Sequence, residues 1–215
     1  MRFGIAKLEN YVFVCLSSHL SLYLNITLFR YYITTMIENE RTIRHKLVVE
    51  AAHRMMTAAR TAPKGKGIDI IEIVLVSERQ DLEKLATTMR QKAKESGMKF
   101  LLRDADNILQ GEAVILIGTR RQVQGLNCGY CGYATCAENP CTNPCAINSI
   151  DVGIAVGSAC ATAADMRVDT RVMFSAGWAS EALDWMPGCH QTIAIAVSAS
   201  SKNPYFDRKP KEEKK

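Results

Sequence analysis

Neither a Gly-x-Gly-x-x-Gly stretch nor a Walker-type Gly-x4-Gly-Lys-Ser/Thr loop occurs in the chain. Nucleotide binding by either of those phosphate-cradling loops is therefore excluded. No basic stripe interleaved with aromatics is present, so nucleic acid is not expected as a partner. The formal charge of +5 comes in part from Lys209-Pro210-Lys211-Glu212-Glu213-Lys214-Lys215, a run expected to be a solvated tail. No internal repeat stands out. The first 35 residues also lack something: an uncharged apolar run of the roughly 18 residues that a spanning helix needs. The apolar stretch that opens at Tyr11 is broken by Ser17, Ser18 and His19, and Asn25 and Arg30 interrupt the residues beyond. No small-x-small cleavage site comes after it, so a signal peptide is not expected either. Neither a membrane nor secretion is implied.

What is present is apolar enough, at 47% hydrophobic and 23% charged in 215 residues, for one ordinary domain with a sizeable core. Residues 1–35 read unlike the rest and are expected to be an extension outside the natural protein. A good helical pattern starts directly after Met36. The expected organisation is a single domain over 36–201, with a cysteine loop at 126–146 and a basic tail at 202–215.

Within 36–201, Leu47, Ala51, Ala52, Met55, Ala58, Ala59 and Ala62 recur at helical spacing. Pro63 and the Lys64-Gly65-Lys66-Gly67 turn end that helix. A nearly continuous apolar run over 70–76, interrupted by Glu72, predicts a buried strand. Leu82, Leu85, Ala86, Met89 and Ala93 predict a second helix. Next in order come a strand over 113–117, a long helix over 147–165, an alternating strand from Val168 to Phe174, a short helix or turn near Trp178, and a buried strand over 192–198. The pattern predicts one layered α/β (α+β) domain without clean βαβ repetition. Gly153, Gly157 and Ala161 make a small-residue stripe on the long helix, which serves either core packing or a dimer interface.

Five of the eight cysteines lie between Cys128 and Cys145, spaced Cys-x2-Cys-x4-Cys and followed by Cys141 and Cys145. A cubane iron–sulfur cluster needs four converging thiolates. Gly129 and Gly132 each follow a cysteine and suit a tight wrap with backbone N–H groups near sulfur. Pro140 and Pro144 stiffen the return path. Structural zinc usually takes two separated Cys-x2-Cys knuckles. Disulfides need an oxidising compartment and would close strained small loops here. A Cys-x-x-Cys dithiol leaves three cysteines idle. Thiolate clustering of this kind points to a reducing interior, hence the cytoplasm.

The run Cys128-Gly129-Tyr130-Cys131-Gly132-Tyr133-Ala134-Thr135-Cys136 resembles the loop of the four-iron Fe–S domain of ion-pumping ferredoxin–NAD reductase B subunits and a corrinoid iron–sulfur protein. Over about 36–208 the chain is similar to a family of uncharacterised ferredoxin-domain proteins. That likeness rests on the stretches Ala58 to Asp69, Asp151 to Ala159 and Asn203 to Arg208 beside the loop. The element order resembles the flavin-dependent nitroreductase fold, which implies a mixed sheet flanked by helices and pairing into a homodimer through long helices. Arg41 and Arg44 echo the arginine motif by which those enzymes hold the flavin phosphate. Lys64 and Lys66 stand where nitroreductases carry Ser and Asn after Ala62-Pro63, and could hold an FMN phosphate or be plain turn lysines.

The expected function is that of an electron-transfer protein with one 4Fe-4S cluster on Cys128, Cys131, Cys136 and Cys145, serving a redox partner protein. Cys145 is preferred over Cys141 because it lies within a turn of the long helix's N-terminus, where free N–H groups favour a negative cluster. The alternatives are a nitroreductase-like oxidoreductase whose cluster feeds FMN, or a structural metal module at an interaction surface. Tyr130 and Tyr133 are expected to shade the cluster. Cys160 reads as a structural thiol, Cys189-His190 as a turn without a third orienting group, and His45 and His53 as solvated or packing residues.

Overall fold

The computed structural model describes residues 37–140 and 142–206. The expected extension at 1–35, most of the tail and Cys141 lie outside these residues. The chain divides into two compact units, 1–43 and 44–215. Of the first, only residues 37–43 are described. They open helix α1 (Glu40–Thr61), where the Asn39 side chain accepts the Arg41 N–H at 3.0 Å as a helix N-cap.

In the second unit α1 continues and buries Val48, Ala51, Ala52, Met55 and Ala59. Its C-terminal carbonyls have no helical partner. The Lys64 ammonium supplies one, donating to the carbonyls of Ala59, Arg60 and Ala62 at 2.8, 2.6 and 2.7 Å. After a 3-10 turn (Gly65–Gly67) come β1 (Ile71–Val76), α2 (Arg79–Ser96), α3 (Phe100–Ile108) and β2 (Ala113–Arg120). The cysteine loop leads from there to α4 (Ala146–Asp165), β3 (Asp169–Met173), α5 (Phe174–Ser180) and β4 (Cys189–Ser198). Helix α3 was not expected from the sequence. Its apolar stripe is short, with Leu101, Ala105 and Ile108 as its buried apolar residues.

The sheet runs β1-β2-β4-β3. Every described pairing is antiparallel, where a mixed sheet was expected. The connection explains the β1–β2 pair. Helices α2 and α3 pack on each other as an out-and-back pair, so the chain re-enters the sheet at the end it left. A single crossover helix would deliver the next strand parallel.

Side chains alternate along each strand and feed two cores. Ile71, Ile115, Ile117, Ile195 and Val197 pack with α1 and α4 on one face. Val76, Val114, Leu116, Ala194 and Ala196 pack with α2, α3 and α5 on the other. The layers are helix, sheet, helix, as the α/β expectation required. Helix α5 lies so close to β4 that a Cβ on Gly177 would sit 2.0 Å from the Thr192 carbonyl oxygen.

By length and composition α4 could cross a membrane. It packs instead on the sheet, and its buried face carries Asn148 and Asp151. The small-residue stripe turns outward: Gly153, Gly157 and Ala161 are exposed, and among the described residues nothing lies within 4 Å of a Cβ placed on either glycine.

Candidate metal centre

The cysteine loop leaves the end of β2 and returns at the N-terminus of α4. Its root is tied to the body of the unit at two points. Asn148, fully buried on the first turn of α4, donates its amide to the Gln122 carbonyl at 2.5 Å. Lys66, held at φ 56 in the 3-10 turn, donates to the Gln124 carbonyl at 3.3 Å. The Gln124 side chain is 3% exposed and lies at the same junction.

Past this root the chain turns sharply. Gly129 and Gly132 adopt φ 71 and 89, and the Gly132 N–H donates to the Gly129 carbonyl at 2.9 Å. Side chains other than glycine's rarely adopt these angles. The loop also closes on itself between Asn127 and Cys136. The Asn127 N–H donates to the Cys136 sulfur at 3.3 Å, and the Cys136 N–H donates to the Asn127 side-chain oxygen at 2.8 Å. Asn127 sits at φ 48, a conformation that asparagine tolerates better than most residues. The sequence carried that signal, an asparagine directly before the first cysteine, and the residue-type reading passed over it.

Cys128 is exposed, Cys131 and Cys136 are half-buried, and all three are free thiols. Cys145 is 5% exposed and is the N-cap residue of α4. No three His, Cys, Asp or Glu side chains among the described residues are gathered tightly enough to hold a metal ion as they stand. The donor set nevertheless fits an iron–sulfur cluster: soft free thiols, a backbone N–H already aimed at one sulfur, and a buried thiol at a helix N-terminus. Tyr133 is half-buried, with its hydroxyl accepting from the Asn143 amide at 2.6 Å. Tyr130 is 72% exposed.

Of the cations expected at a flavin phosphate, both lysines are engaged by the second unit's own carbonyls. Lys64 is occupied by the carbonyls of Ala59, Arg60 and Ala62. Burial lowers its pKa, against the raising influence of Asp69 and Asp151. The Gly65 N–H is taken by the buried Asp151 carboxylate, with both oxygens at 3.0 Å. A phosphate at this turn would meet that carboxylate, and like charges repel. Lys66 points to the loop root. Arg44 is half-buried on α1, while Arg41 belongs to the first unit. The turn therefore does not fit an FMN phosphate. Asp151 was missed by the sequence reading, although an acidic residue within the apolar spacing of a core helix was its mark.

The remaining candidates have surroundings of their own. Cys160 packs against the α1/α4 core, and burial raises its pKa. Cys189 opens β4 rather than lying in a turn, and burial raises its pKa as well. His45 bonds Glu112 at 3.2 Å. His53 is exposed on α1.

Comparison with known proteins gives this arrangement its setting. Residues 142–208 match the family described as uncharacterized protein containing a ferredoxin domain (DUF2148). That span takes in Cys145 and runs to Arg208, and the three-cysteine loop precedes it. An uncharacterized protein of Archaeoglobus fulgidus is 39% identical over 186 residues, covering 82% of this chain and 100% of that protein. The chain belongs to this family of uncharacterised ferredoxin-domain proteins.

Two solved structures resemble its fold. One is a BluB-like flavoprotein from Clostridium difficile 630, 18% identical, with TM-score 0.50 over 76% of this chain and 84% of that one. The other is an oxidoreductase containing FMN, 15% identical, with TM-score 0.50 over 71% of this chain and 67% of that one. The fold is the nitroreductase-like α/β fold of these flavoproteins.

Proposed function

We propose that the chain holds one 4Fe-4S cluster through Cys128, Cys131, Cys136 and Cys145 and serves as an electron-transfer protein for a redox partner. When bound, such a cluster supplies reversible one-electron exchange. The observation that carries the proposal is the Asn127–Cys136 pair. It closes the loop and leaves an N–H bonded to a thiol sulfur. Hydrogen bonds of that kind stabilise the thiolate and, with burial, set the potential of thiolate-ligated iron. Cys145 contributes a thiol withdrawn from water at the end of a 20-residue helix whose first N–H groups favour negative charge.

The test is composition. Protein purified anaerobically should be brown, with broad absorbance near roughly 400 nm that bleaches on reduction, as thiolate-ligated iron shows. Iron and sulfide should be present in equal amounts, four of each per chain for this cluster type. A colourless protein holding zinc would contradict the proposal and leave a structural metal module. The flavin reading gains nothing from the Lys64 turn, and acid extraction should release no stoichiometric flavin.

We also propose a homodimer paired through the outward stripe of α4, a reducing cytoplasmic setting suited to free thiols, and no nucleic-acid or membrane partner.

A further inference from the structure

Strand β4 is irregular where it starts. Its register against β2 runs Thr119↔His190 and then Ile117↔Ile193. Gly118 is therefore faced by two residues, Gln191 and Thr192, which is a β-bulge. Bulge positions with positive φ are ordinarily glycine. Here Gln191 holds φ 51. A long side chain kept in the left-handed region inside a strand is strained, and the surrounding structure must over-determine it.

The side chain shows what the distortion accomplishes. It turns off the strand to the first turn of α4, where the Ser149 hydroxyl lies 3.0 Å from Gln191 Oε1. The same hydroxyl lies 3.1 Å from the Cys145 carbonyl, and the Ser149 N–H donates to that carbonyl at 3.1 Å. A serine carries one hydroxyl hydrogen. The Ser149 hydroxyl gives it to Gln191 Oε1, while the Ser149 N–H holds the Cys145 carbonyl. The first turn of α4 is then held from two sides, by Asn148 on the loop root and by Gln191 from the sheet.

We propose that Gln191 is a positioning residue for the fourth cluster thiolate, fixing the N-cap residue Cys145 through Ser149. This rests on reading Cys145 as a ligand. The bulge makes the sheet the reference against which that thiol is placed.

The test uses the full chain with Gln191→Gly, which suits the left-handed backbone and removes only the side chain. Ser149→Ala cuts the same link without touching the bulge, should the first variant fail to fold. Gln191→Glu keeps an acceptor for the Ser149 hydroxyl.

The first readout needs no iron: the alkylation rate of Cys145 in the metal-free full chain, resolved by peptide mass spectrometry. Gln191→Gly and Ser149→Ala should raise that rate about fivefold, the effect of losing one net hydrogen bond from a local opening equilibrium, while Gln191→Glu stays nearer the parent. Alkylation of Cys160 should not change. The second readout is the midpoint potential and electron paramagnetic resonance spectrum of the iron-loaded protein. Both should move in Gln191→Gly and Ser149→Ala.

Parent-like alkylation of Cys145 together with an unchanged potential and spectrum would overturn the role given to Gln191. Failure of the parent chain itself to take up iron would instead overturn the cluster reading, and the ligand part of this proposal with it. The metal-free alkylation rates distinguish the two failures.

Discussion

Removing the Asp151 carboxylate tests how the start of α4 is anchored. Asp151 is 2% exposed and accepts the Gly65 N–H with both oxygens at 3.0 Å. It thereby joins α4, one turn beyond Asn148, to the turn that ends α1. Asp151→Ala removes a hydrogen bond to a charged group, about 1.5–3 kcal/mol, and leaves the Gly65 N–H without its acceptor. Relief of the burial of a charge offsets part of this. The net destabilisation is about 2 kcal/mol, at the upper end of what one mutation usually does. For a unit of this size that lowers Tm by about 4–8 °C.

Asp151→Asn keeps one acceptor oxygen and should lose about half as much. Gly65→Ala approaches the same junction from the other side. Its Cβ would lie 2.5 Å from Ile147 Cγ2, a side-chain atom that can move by a change of rotamer, so about 1 kcal/mol is expected. Thermal melts followed by circular dichroism measure all three. A Tm for Asp151→Ala within about 1 °C of the parent would refute the anchoring role, since it corresponds to less than about 0.5 kcal/mol.

Gly177→Ala is expected to be the harsher substitution, because its Cβ meets backbone rather than side chain. With the Thr192 carbonyl oxygen at 2.0 Å and Ile193 Cα at 2.9 Å, α5 must move off β4, at about 3 kcal/mol or more. A melt unchanged from the parent would show that α5 does not sit this close to β4. Stability should also fall in mild acid through His190. Burial, then the charge of Arg121, hold its pKa below the ordinary value. Its contribution is complete above the unfolded value of about 6.5 and is lost as pH drops through that value toward the folded one. Denaturant midpoints between about pH 8 and 5 should therefore slope less in His190→Gln, and an identical slope would contradict the assignment. Gly157→Leu, on the outward face of α4, should weaken self-association in sedimentation without lowering the monomer's Tm. A parent chain that is monomeric at micromolar concentration would end the dimer proposal.

The layered fold was legible wherever apolar spacing was long. The apolar runs of β2 and β4 and the periodic faces of α1 and α2 fall where the pattern put them, while β1, expected to be buried, is an edge strand and half-buried between its ends. Helix α3 escaped because nine residues give too few turns for a clear period. Sheet direction escaped for the same reason, since it depends on the paired return of α2 and α3. At the site, the cysteines and the two glycines were legible as residue types.

The residues that hold them were not. Asn127, Asn148, Ser149, Asp151 and Gln191 act through partners up to 86 positions away, a separation that local pattern does not report. Lys64 and Lys66 show the converse. Their composition suggested a phosphate grip, yet the orphaned carbonyls at the end of α1 and the buried Asp151 occupy the groups that a phosphate would need.

The most direct test of the cluster assignment compares two single substitutions. Cys145→Ser and Cys141→Ser are purified anaerobically and assayed for iron, sulfide and the visible spectrum beside the parent. The assignment predicts that Cys145→Ser loses or cripples the cluster, because the buried N-cap thiol is its fourth ligand, while Cys141→Ser retains the parent's iron, sulfide and absorbance. Full iron in Cys145→Ser with loss in Cys141→Ser would contradict it.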